Sequence, residues 1–298
     1  MWGREDLSPW FPVQSQKKPI GEAWFTFEEN LTSEGKPLRD LLTDAPEILG
    51  TAADAQNPGI CPLLVKLLFT SERLSVQVHP DDEYAKRHHE SLGKTEAWYV
   101  LEAEPDAKIA AGFRKPITRE RLQAASLSGE IDEILDWRNV QGGDTIFVPA
   151  GTVHAIGSGL TICEIQENSD LTYRLYDYGR PRELHLEHGA AVARLWPQEF
   201  DTKPIALTGW RDQLLECPYF RIERLRPERP IQIGSGLPYY LLLLCVRGSG
   251  RIAAQPFTAG QAWMIPAGSA AVDIESGGGG SEWILTYKPD TTLPCVSE

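Results

Sequence analysis

The fold of the chain is decided by two nearby stretches, Leu74-Ser75-Val76-Gln77-Val78-His79-Pro80-Asp81-Asp82 and Gly93-Lys94-Thr95-Glu96-Ala97-Trp98-Tyr99-Val100. In the first stretch apolar and polar residues alternate, and this period of two predicts a β-strand. Residues two apart on a strand point the same way, so Ser75, Gln77 and His79 are expected to share one face. Two interpretations are open at this point. The stretch is either a half-solvated strand with a surface histidine or half of a metal site whose other ligands lie elsewhere.

The composition is that of an ordinary globular chain with an acidic balance. Its 298 residues are 42% hydrophobic, which allows one large domain or two smaller ones, and a core that needs no disulfide. The net charge of −13 argues against nucleic acid as a partner, because phosphate backbones are bound by basic patches. A small anion can still be bound through a few placed Arg or Lys residues.

The cysteines are odd in number, widely spread and form no CxxC pair; they are Cys61, Cys163, Cys217, Cys245 and Cys295. This pattern predicts unpaired thiols in a reducing cytoplasm. The N-terminus lacks the apolar segment of a signal peptide, and no run of about 18 apolar residues indicates a membrane span. We therefore expect a cytoplasmic protein without a membrane partner.

Most of the chain alternates like short strands between Gly and Pro turns, which predicts an all-β barrel or sandwich. Residues 61–69 form an apolar run suited to a buried strand. Two segments have helical character, at about 81–91 and 118–136. The first has Asp81 or Asp82 as its N-cap, and the second is broken near Ser128-Gly129.

One internal repeat indicates two related domains. Residues 143–154 are echoed by residues 260–271, and each copy contains a glycine turn, an apolar strand and a Pro-x-Gly turn. The first copy ends on His154 and the second on Ala271. We predict that only the first domain retains its polar ligand and that the boundary lies in the Pro-rich stretch near 196–208.

The first copy of the repeat resembles the second sequence motif of the cupin superfamily. That motif is a glycine, five residues, Pro-x-Gly, two residues and a histidine, and residues 143–154 match every named position. Gln77, His79 and Glu96 stand in the place of the first cupin motif. The resemblance implies a mainly β fold with cupin-like (jelly-roll) β-barrels and a small helical insertion. It also implies one divalent metal ion, for which two imidazoles, a carboxylate and an amide are suitable ligands. These ligands would accept Zn, Fe, Mn or Co.

A third segment narrows the family: Glu164-Ile165-Gln166-Glu167-Asn168-Ser169-Asp170-Leu171-Thr172-Tyr173-Arg174-Leu175-Tyr176-Asp177. Together with residues 74–80, 93–96 and 149–154, in the same order, it resembles the type I mannose-6-phosphate isomerases. The closest likeness is to their short bacterial form. The resemblance covers residues 1–195 well and the C-terminal part only in general shape.

The resemblance implies a zinc-dependent aldose–ketose isomerase that interconverts mannose 6-phosphate and fructose 6-phosphate through an enediol. It places one Zn2+ per chain on Gln77, His79, Glu96 and His154. It also assigns catalytic roles to Arg174, Lys94, Glu164 and Asp170, and contacts with the substrate phosphate to Ser75 and Arg180. We rank Lys94 first as the acid/base group, then Glu164, then Asp170. Arg174 could instead simply pair with Asp170 or Asp177.

We predict an N-terminal catalytic cupin barrel over residues 1–200 and a degenerate cupin-like β-domain without metal ligands over residues 201–298. Glu96 is expected on the strand that neighbours the strand of His79. The expected partner is a small-molecule sugar phosphate, and nothing in the sequence indicates an oligomeric state. The alternatives are another cupin sugar-phosphate isomerase, an iron-dependent oxygenase, and a non-catalytic metal-dependent sugar-binding protein derived from the isomerase. Lys94 and Arg174 have no evident use in an oxygenase.

Overall fold

The computed structural model describes residues 2–11, 18–199, 202–234, 236–289, 294 and 296–297, and these form mainly β-strands. The chain divides into two compact units. Unit 1 contains Met1–Glu5, Gln16–Ala23 and Val65–Thr202, and unit 2 contains Asp6–Ser15, Trp24–Leu64 and Lys203–Glu298. The second unit resumes after Thr202, within the stretch 196–208 where the boundary is expected. Two N-terminal segments, Asp6–Ser15 and Trp24–Leu64, also belong to this unit. Two cupin domains over residues 1–200 and 201–298 stay a prediction.

The first ten strands form two five-stranded sheets. They are β1 (Glu22–Trp24), β2 (Leu63–Thr70), β3 (Val76–Val78), β4 (Glu96–Ala103), β5 (Lys108–Phe113), β6 (Leu135–Asn139), β7 (Thr145–Val148), β8 (His154–Ile156), β9 (Leu160–Glu167) and β10 (Tyr173–Tyr176). One sheet has the order β1-β2-β9-β4-β7 and the other the order β10-β3-β8-β5-β6. β2 is buried along its whole length, which confirms the buried strand predicted from residues 61–69.

The strand predicted over residues 74–79 is confirmed in its centre, β3. Val76 and Val78 are fully buried in the core cluster that covers one face of this strand. Gln77 lies opposite Arg174 on β10 and opposite His154 on β8. Because directly opposed residues of antiparallel strands share a face, these three side chains project to the same side of the sheet.

Within the described part of the chain, five α-helices and a short 3₁₀ helix (Pro46–Ile48) accompany the strands. The α-helices are α1 (Leu38–Asp44), α2 (Asp82–His89), α3 (Arg119–Ser128), α4 (Ile131–Ile134) and α5 (Leu186–Val192). Asp81 caps α2, as predicted, by accepting a hydrogen bond from Tyr84 N. The predicted break in the second helical segment is confirmed at Gly129, which adopts φ +86° and ends α3. The prediction that helix extends to residue 136 is wrong, because Leu135 already pairs with Phe113 as a strand.

A nine-stranded sheet dominates unit 2. Its strands are β11 (Ile205–Ala206), β12 (Arg211–Glu216), β13 (Arg221–Leu225), β14 (Ile231–Ile233), β15 (Leu241–Ile252), β16 (Gln255–Thr258), β17 (Ala262–Ile265), β18 (Val272–Tyr287) and β19 (Val296–Ser297). β18 pairs with β13, β14 and β15. Inside this unit Glu223 is fully buried and is neutralised by the chain itself, through Arg211 at 2.6 Å and Arg221 at 2.8 Å.

The sequence repeat is a structural repeat. In the first copy Gly143 and Gly151 flank β7 with φ of +97° and +85°. In the second, Gly260 and Gly268 flank β17 with φ of +86° and +72°. The left-handed conformation explains why glycine occupies both turns of both copies.

The described cysteines, Cys61, Cys163, Cys217 and Cys245, are buried thiols that form no disulfide, as predicted; Cys295 lies outside the described residues. Among the described helices, none has the length and apolar character that crossing a membrane requires.

Candidate metal centre and active site

Three of the predicted metal ligands, His79, Glu96 and His154, come together in a buried group. Their ligand atoms all lie within 4.8 Å of one another. His79 follows β3 and His154 begins β8, which are neighbours in one sheet. The expectation that Glu96 lies on the strand next to His79 is wrong. Glu96 begins β4, which pairs with β7 and β9 in the other sheet, so the group is assembled from both sheets.

Both histidines are oriented by hydrogen bonds to backbone carbonyl groups. His79 Nδ1 lies 3.0 Å from the carbonyl oxygen of Leu171, and His154 Nδ1 lies 2.9 Å from that of Thr152. A carbonyl oxygen can only accept, so we assign the proton of each ring to Nδ1 and a lone pair to Nε2. The Nε2 atoms lie 3.5 Å and 3.3 Å from the two carboxylate oxygens of Glu96. Metal-binding histidines are commonly oriented in this way.

The buried polar atoms of this group fit a divalent cation. Oε1 of Glu96 and Nε2 of His154 are buried and have no hydrogen-bond partner among the described residues, whereas Oε2 of Glu96 has the Lys94 ammonium 2.8 Å away. An unsatisfied buried polar atom costs about 1–3 kcal/mol, and more if it is charged. A cation between Glu96 and His154 would satisfy both of the unpartnered atoms at once. Two imidazoles and a carboxylate suit zinc and other first-row metals.

The pKa values of the group favour metal-binding protonation states of the histidines. Burial lowers the pKa of His154 to about 4 and places the pKa of His79 well below its usual value, so both rings are neutral near pH 7. Burial raises the pKa of Glu96 to about 7, against the opposing effect of the Lys94 ammonium. Burial disfavours the charged form of a carboxyl group, and here this effect exceeds that of the neighbouring ammonium.

Gln77 lies beside this group. It is half-buried on β3, directly opposite His154. Its register therefore places the amide on the face that carries the His154 imidazole. The role of Gln77 as a fourth ligand stays a prediction.

Lys94 brings a buried ammonium group into contact with the predicted ligands. Its Nζ lies 2.8 Å from Oε2 of Glu96 and 3.2 Å from Nε2 of His79. Burial by itself would lower the pKa of Lys94, but the carboxylates of Glu96 and Glu164 outweigh burial and raise the pKa to about 12. The lysine predicted to act in catalysis thus lies within hydrogen-bonding reach of two of the predicted metal ligands.

Glu164 is held in the same interior by a tryptophan and a second lysine. Trp98 lies opposite Glu164 in the sheet and donates its indole N–H to Oε1 at 3.0 Å. Lys66 Nζ lies 3.5 Å from Oε2 of Glu164 and 3.8 Å from Oε2 of Glu22. Burial opposes ionisation of Glu164, but Lys94 and Lys66 outweigh it and lower its pKa to about 2.

Sequence reasoning missed Lys66. The residue lies on β2 and is only 3% exposed. The available signal was its position inside an otherwise apolar run, because a lysine in a strand buried on both faces needs a specific partner.

Arg174 lies opposite Gln77 and points to the same face of the sheet. Its Nη1 donates to the carbonyl of Glu183 at 3.1 Å, and its Nε is buried without a partner among the described residues. The alternative in which Arg174 pairs with Asp177 is wrong. The Asp177 carboxylate is instead bound by Arg180 and Arg182.

The remaining predicted site residues are not brought into the Glu96 group by any described contact. Ser75 is buried just before β3. Arg180 donates from Nε to Oδ1 of Asp177 at 2.9 Å and from Nη2 to the carbonyl of Arg73 at 3.0 Å. Asp170 is exposed in the loop between β9 and β10. The roles assigned to Ser75, Arg180 and Asp170 stay predictions.

Three other histidines form a separate aromatic cluster. His88 and His89 end α2, and their rings lie 5.8 Å and 5.4 Å from that of His188. Tyr84 Oη lies 2.9 Å from His188 Nδ1, and Tyr173 Oη lies 2.7 Å from His89 Nε2. Among the described residues, only His79, Glu96 and His154 have metal-ligand spacing.

Comparison with known proteins agrees with this geometry. The sequence model described as "Phosphomannose isomerase type I, catalytic domain" matches residues 4–112. Mannose-6-phosphate isomerase ManA of Bacillus subtilis is 38% identical over 315 residues, which cover 96% of this chain and 95% of that protein. Mannose-6-phosphate isomerase of Streptococcus mutans is 34% identical over 268 residues, which cover 85% of this chain and 83% of that protein. The chain belongs to the type I phosphomannose isomerase family.

A solved structure of the same family shows the same architecture. The crystal structure of mannose 6-phosphate isomerase from Bacillus subtilis aligns with a TM-score of 0.84 and 28% identity, and it covers 96% of this chain and 95% of that one. The likeness confirms the mainly β, cupin-like class predicted from the sequence. The residues matched by the type I phosphomannose isomerase model include His79, Lys94 and Glu96, and His154 follows them along the chain.

Proposed function

We propose that the protein interconverts mannose 6-phosphate and fructose 6-phosphate through an enediol intermediate, with one zinc ion per chain. One observation carries the proposal. In a chain of this family, a buried His79–Glu96–His154 group has the ammonium of Lys94 2.8 Å from its carboxylate. This arrangement combines a place for a cation with a group that can move a proton.

The ligands we propose for zinc are Gln77, His79, Glu96 and His154. Bound there, zinc would supply electrophilic stabilisation to the sugar oxygens without any redox change. The chain contributes the orientation of the ligands, since the carbonyl groups of Leu171 and Thr152 fix the two imidazole rings. It also excludes water, because the three ligands of the buried group are at most 1% exposed.

The isomerisation moves one proton between C1 and C2 of the sugar and another between the two oxygens on those carbons. We propose Lys94 as the first candidate for the group that carries the carbon-bound proton, because its Nζ contacts both Glu96 and His79. Glu164 is the second candidate, since its carboxylate lies in the same buried interior. Asp170 is the third, and its exposure makes it the weakest of the three.

Arg174 and the phosphate contacts complete the proposal. A guanidinium stays protonated and offers forked donors, so Arg174 can stabilise negative charge that develops on the enediol oxygens. Its buried, unpartnered Nε–H is a donor that substrate can satisfy. Ser75 and Arg180 are the proposed contacts of the phosphate. Lys66 is proposed to hold the Glu164 carboxylate in place through Oε2, while Trp98 binds Oε1.

A coupled assay of the zinc-loaded protein tests this function. We expect saturable conversion of mannose 6-phosphate to fructose 6-phosphate, and much weaker conversion of other aldose phosphates. Saturable sugar binding without conversion would contradict the proposal and favour a non-catalytic sugar-binding protein. Efficient conversion of a different aldose phosphate alone would assign the site to another cupin isomerase.

A further inference from the structure

The backbone that carries Lys94 and Glu96 is held in place at Thr95. Thr95 is 3% exposed and lies just before β4. Thr95 lies directly between Lys94 and Glu96 in the chain, so its backbone joins the two residues that carry these side chains. Any group that fixes the Thr95 backbone therefore fixes both functional side chains.

Glu167 binds the Thr95 backbone at both polar atoms. The side-chain Oε2 of Glu167 accepts a hydrogen bond from Thr95 N at 2.8 Å. The backbone N of Glu167 donates to the carbonyl of Thr95 at 3.1 Å. Glu167 is the last residue of β9 and is 6% exposed, so the contact is shielded from water. A hydrogen bond to a carboxylate is stronger than one to a neutral acceptor.

Asp82 supports the same contact from the start of α2. Its Oδ1 accepts a hydrogen bond from Gly93 N at 2.8 Å, and its carboxylate is close enough to the Glu167 side chain to raise the pKa of Glu167. Burial and the neighbouring Asp82 carboxylate raise the pKa of Glu167 to about 7. A neutral glutamine at position 167 still has an oxygen that can accept from Thr95 N, so it would reproduce the hydrogen bond to the Thr95 backbone.

We propose that Glu167 is a positioning residue, whose hydrogen bond to Thr95 N sets the placement of the Lys94 amine and the Glu96 carboxylate. Glu167 contacts neither group directly and acts through the backbone between them. Its effect on turnover rests on the proposed function, whereas its effect on metal binding requires only that Glu96 is a ligand. Substitution of a residue that orients a metal ligand typically lowers metal affinity or activity by about 10–100-fold.

The test compares Glu167→Ala, which removes the acceptor, with Glu167→Gln, which keeps an acceptor oxygen and adds a donor for Asp82. Zinc affinity is measured by competition with a chromophoric chelator, kcat and KM by the coupled assay, and stability by thermal unfolding. Asp144→Ala is the matched control, because Asp144 Oδ2 accepts from the backbone N of Gln141 at 2.8 Å in a turn of the same unit.

We expect Glu167→Ala to lower zinc affinity and kcat, each by about 10–100-fold, with little change in KM. Glu167→Gln should remain close to the wild type in both. Asp144→Ala should lose stability without losing zinc affinity or kcat. If Glu167→Ala does not fold, Glu167→Met removes the acceptor while it keeps the side-chain volume.

Unchanged zinc affinity in the folded variant that lacks the acceptor would overturn the proposal. The proposal would also be overturned if Glu167→Gln lost as much zinc affinity and kcat as the variant without the acceptor. Equal losses of zinc affinity and kcat in Asp144→Ala would overturn it as well. If the wild type binds zinc but converts no mannose 6-phosphate, the proposed function fails, and the zinc-affinity comparison alone decides the role of Glu167.

Discussion

Buried polar atoms mark the active site at the scale of single residues. Glu223 in unit 2 is as deeply buried as Glu96, but it is paired with Arg211 and Arg221. Glu96 instead faces two neutral imidazoles and the single ammonium of Lys94, which it shares with Glu164, and its Oε1 has no hydrogen-bond partner among the described residues. Glu223 is thus neutralised by two arginines of the chain, whereas Glu96 has one shared ammonium and is a candidate ligand of a cation.

Lys94 is the residue whose removal tests the chemistry most directly. We expect Lys94→Met to lower kcat by about 10²–10⁴-fold, the usual contribution of a positioned acid/base group. The methionine retains most of the apolar stem that Lys94 buries. The coupled assay gives kcat, and elemental analysis of the same sample gives the zinc content.

Lys86→Met is the control, because Lys86 is an exposed lysine on α2. It should leave kcat unchanged. Near-normal turnover of Lys94→Met would transfer the acid/base role to Glu164. A loss of zinc in parallel with kcat would instead assign Lys94 to holding Glu96.

At the scale of elements, turns beside the strands help to place the ligands. His154 follows the turn that contains Gly151, and Gly151 N donates to the carbonyl of His79 at 2.8 Å. One glycine turn therefore connects two ligands that lie far apart along the chain. The segment after β10 depends in the same way on Asp177, which binds Arg180 and Arg182 at once.

The repeat offers a matched pair of glycines. Gly151→Ala and Gly268→Ala both introduce a Cβ at a positive φ, which costs about 1–2 kcal/mol. At Gly151 the new Cβ would also lie 2.8 Å from the carbonyl oxygen of Val192, whereas at Gly268 it would meet no atom within 4 Å. We expect Gly151→Ala to lose more stability than Gly268→Ala. We also expect Gly151→Ala, but not Gly268→Ala, to lose zinc.

Denaturant unfolding and elemental analysis measure the two effects. Equal destabilisation by the two substitutions would show that backbone strain dominates and that the turn tolerates the contact with Val192. Retention of zinc by Gly151→Ala would show that the turn does not control the placement of His154.

Asp177 gives the segment after β10 a pH-dependent stability. Burial opposes ionisation of this carboxyl, but the hydrogen bonds from Arg182 and Arg180 outweigh it and lower the pKa below the usual 3.8. The stabilisation is therefore present above about pH 4 and is lost as the pH falls through the lowered native pKa. We expect Asp177→Asn to destabilise the protein by about 1.5–3 kcal/mol at pH 7.

Chemical denaturation at several pH values measures this difference. The gap between the wild type and Asp177→Asn should be constant from pH 7 to pH 5 and should shrink below pH 4. A gap that stays constant down to pH 2 would mean that the Asp177 carboxylate is not what stabilises the segment.

A bound metal is expected to stabilise the whole molecule as well as to permit turnover. A ligand that binds only the folded state adds about 4 kcal/mol when its concentration is 1,000 times its dissociation constant. We expect a chelator to abolish turnover and to lower the unfolding temperature, and we expect added zinc to restore both. Differential scanning calorimetry and the coupled assay follow the two quantities.

Chelator that has been saturated with zinc beforehand is the control, and it should change neither quantity. Full activity and an unchanged unfolding temperature after the metal has been removed, as shown by elemental analysis, would contradict metal dependence. Restoration by manganese or cobalt but not by zinc would correct the identity of the metal.

The sequence by itself determined the mainly β class, the buried strand β2, the capped helix α2 and the group of His79, Glu96 and His154. The first three of these features depend on local periodicity and turn chemistry, which are visible along the chain, and the ligand group is what the resemblance to the family's motifs implies. Tertiary structure alone decided that Glu96 comes from the opposite sheet, that Asp177 binds Arg180 and Arg182, and that Lys66 and Trp98 hold Glu164. Sheet order and cross-sheet contacts join residues that are distant in sequence, and local patterns carry no information about which of them meet.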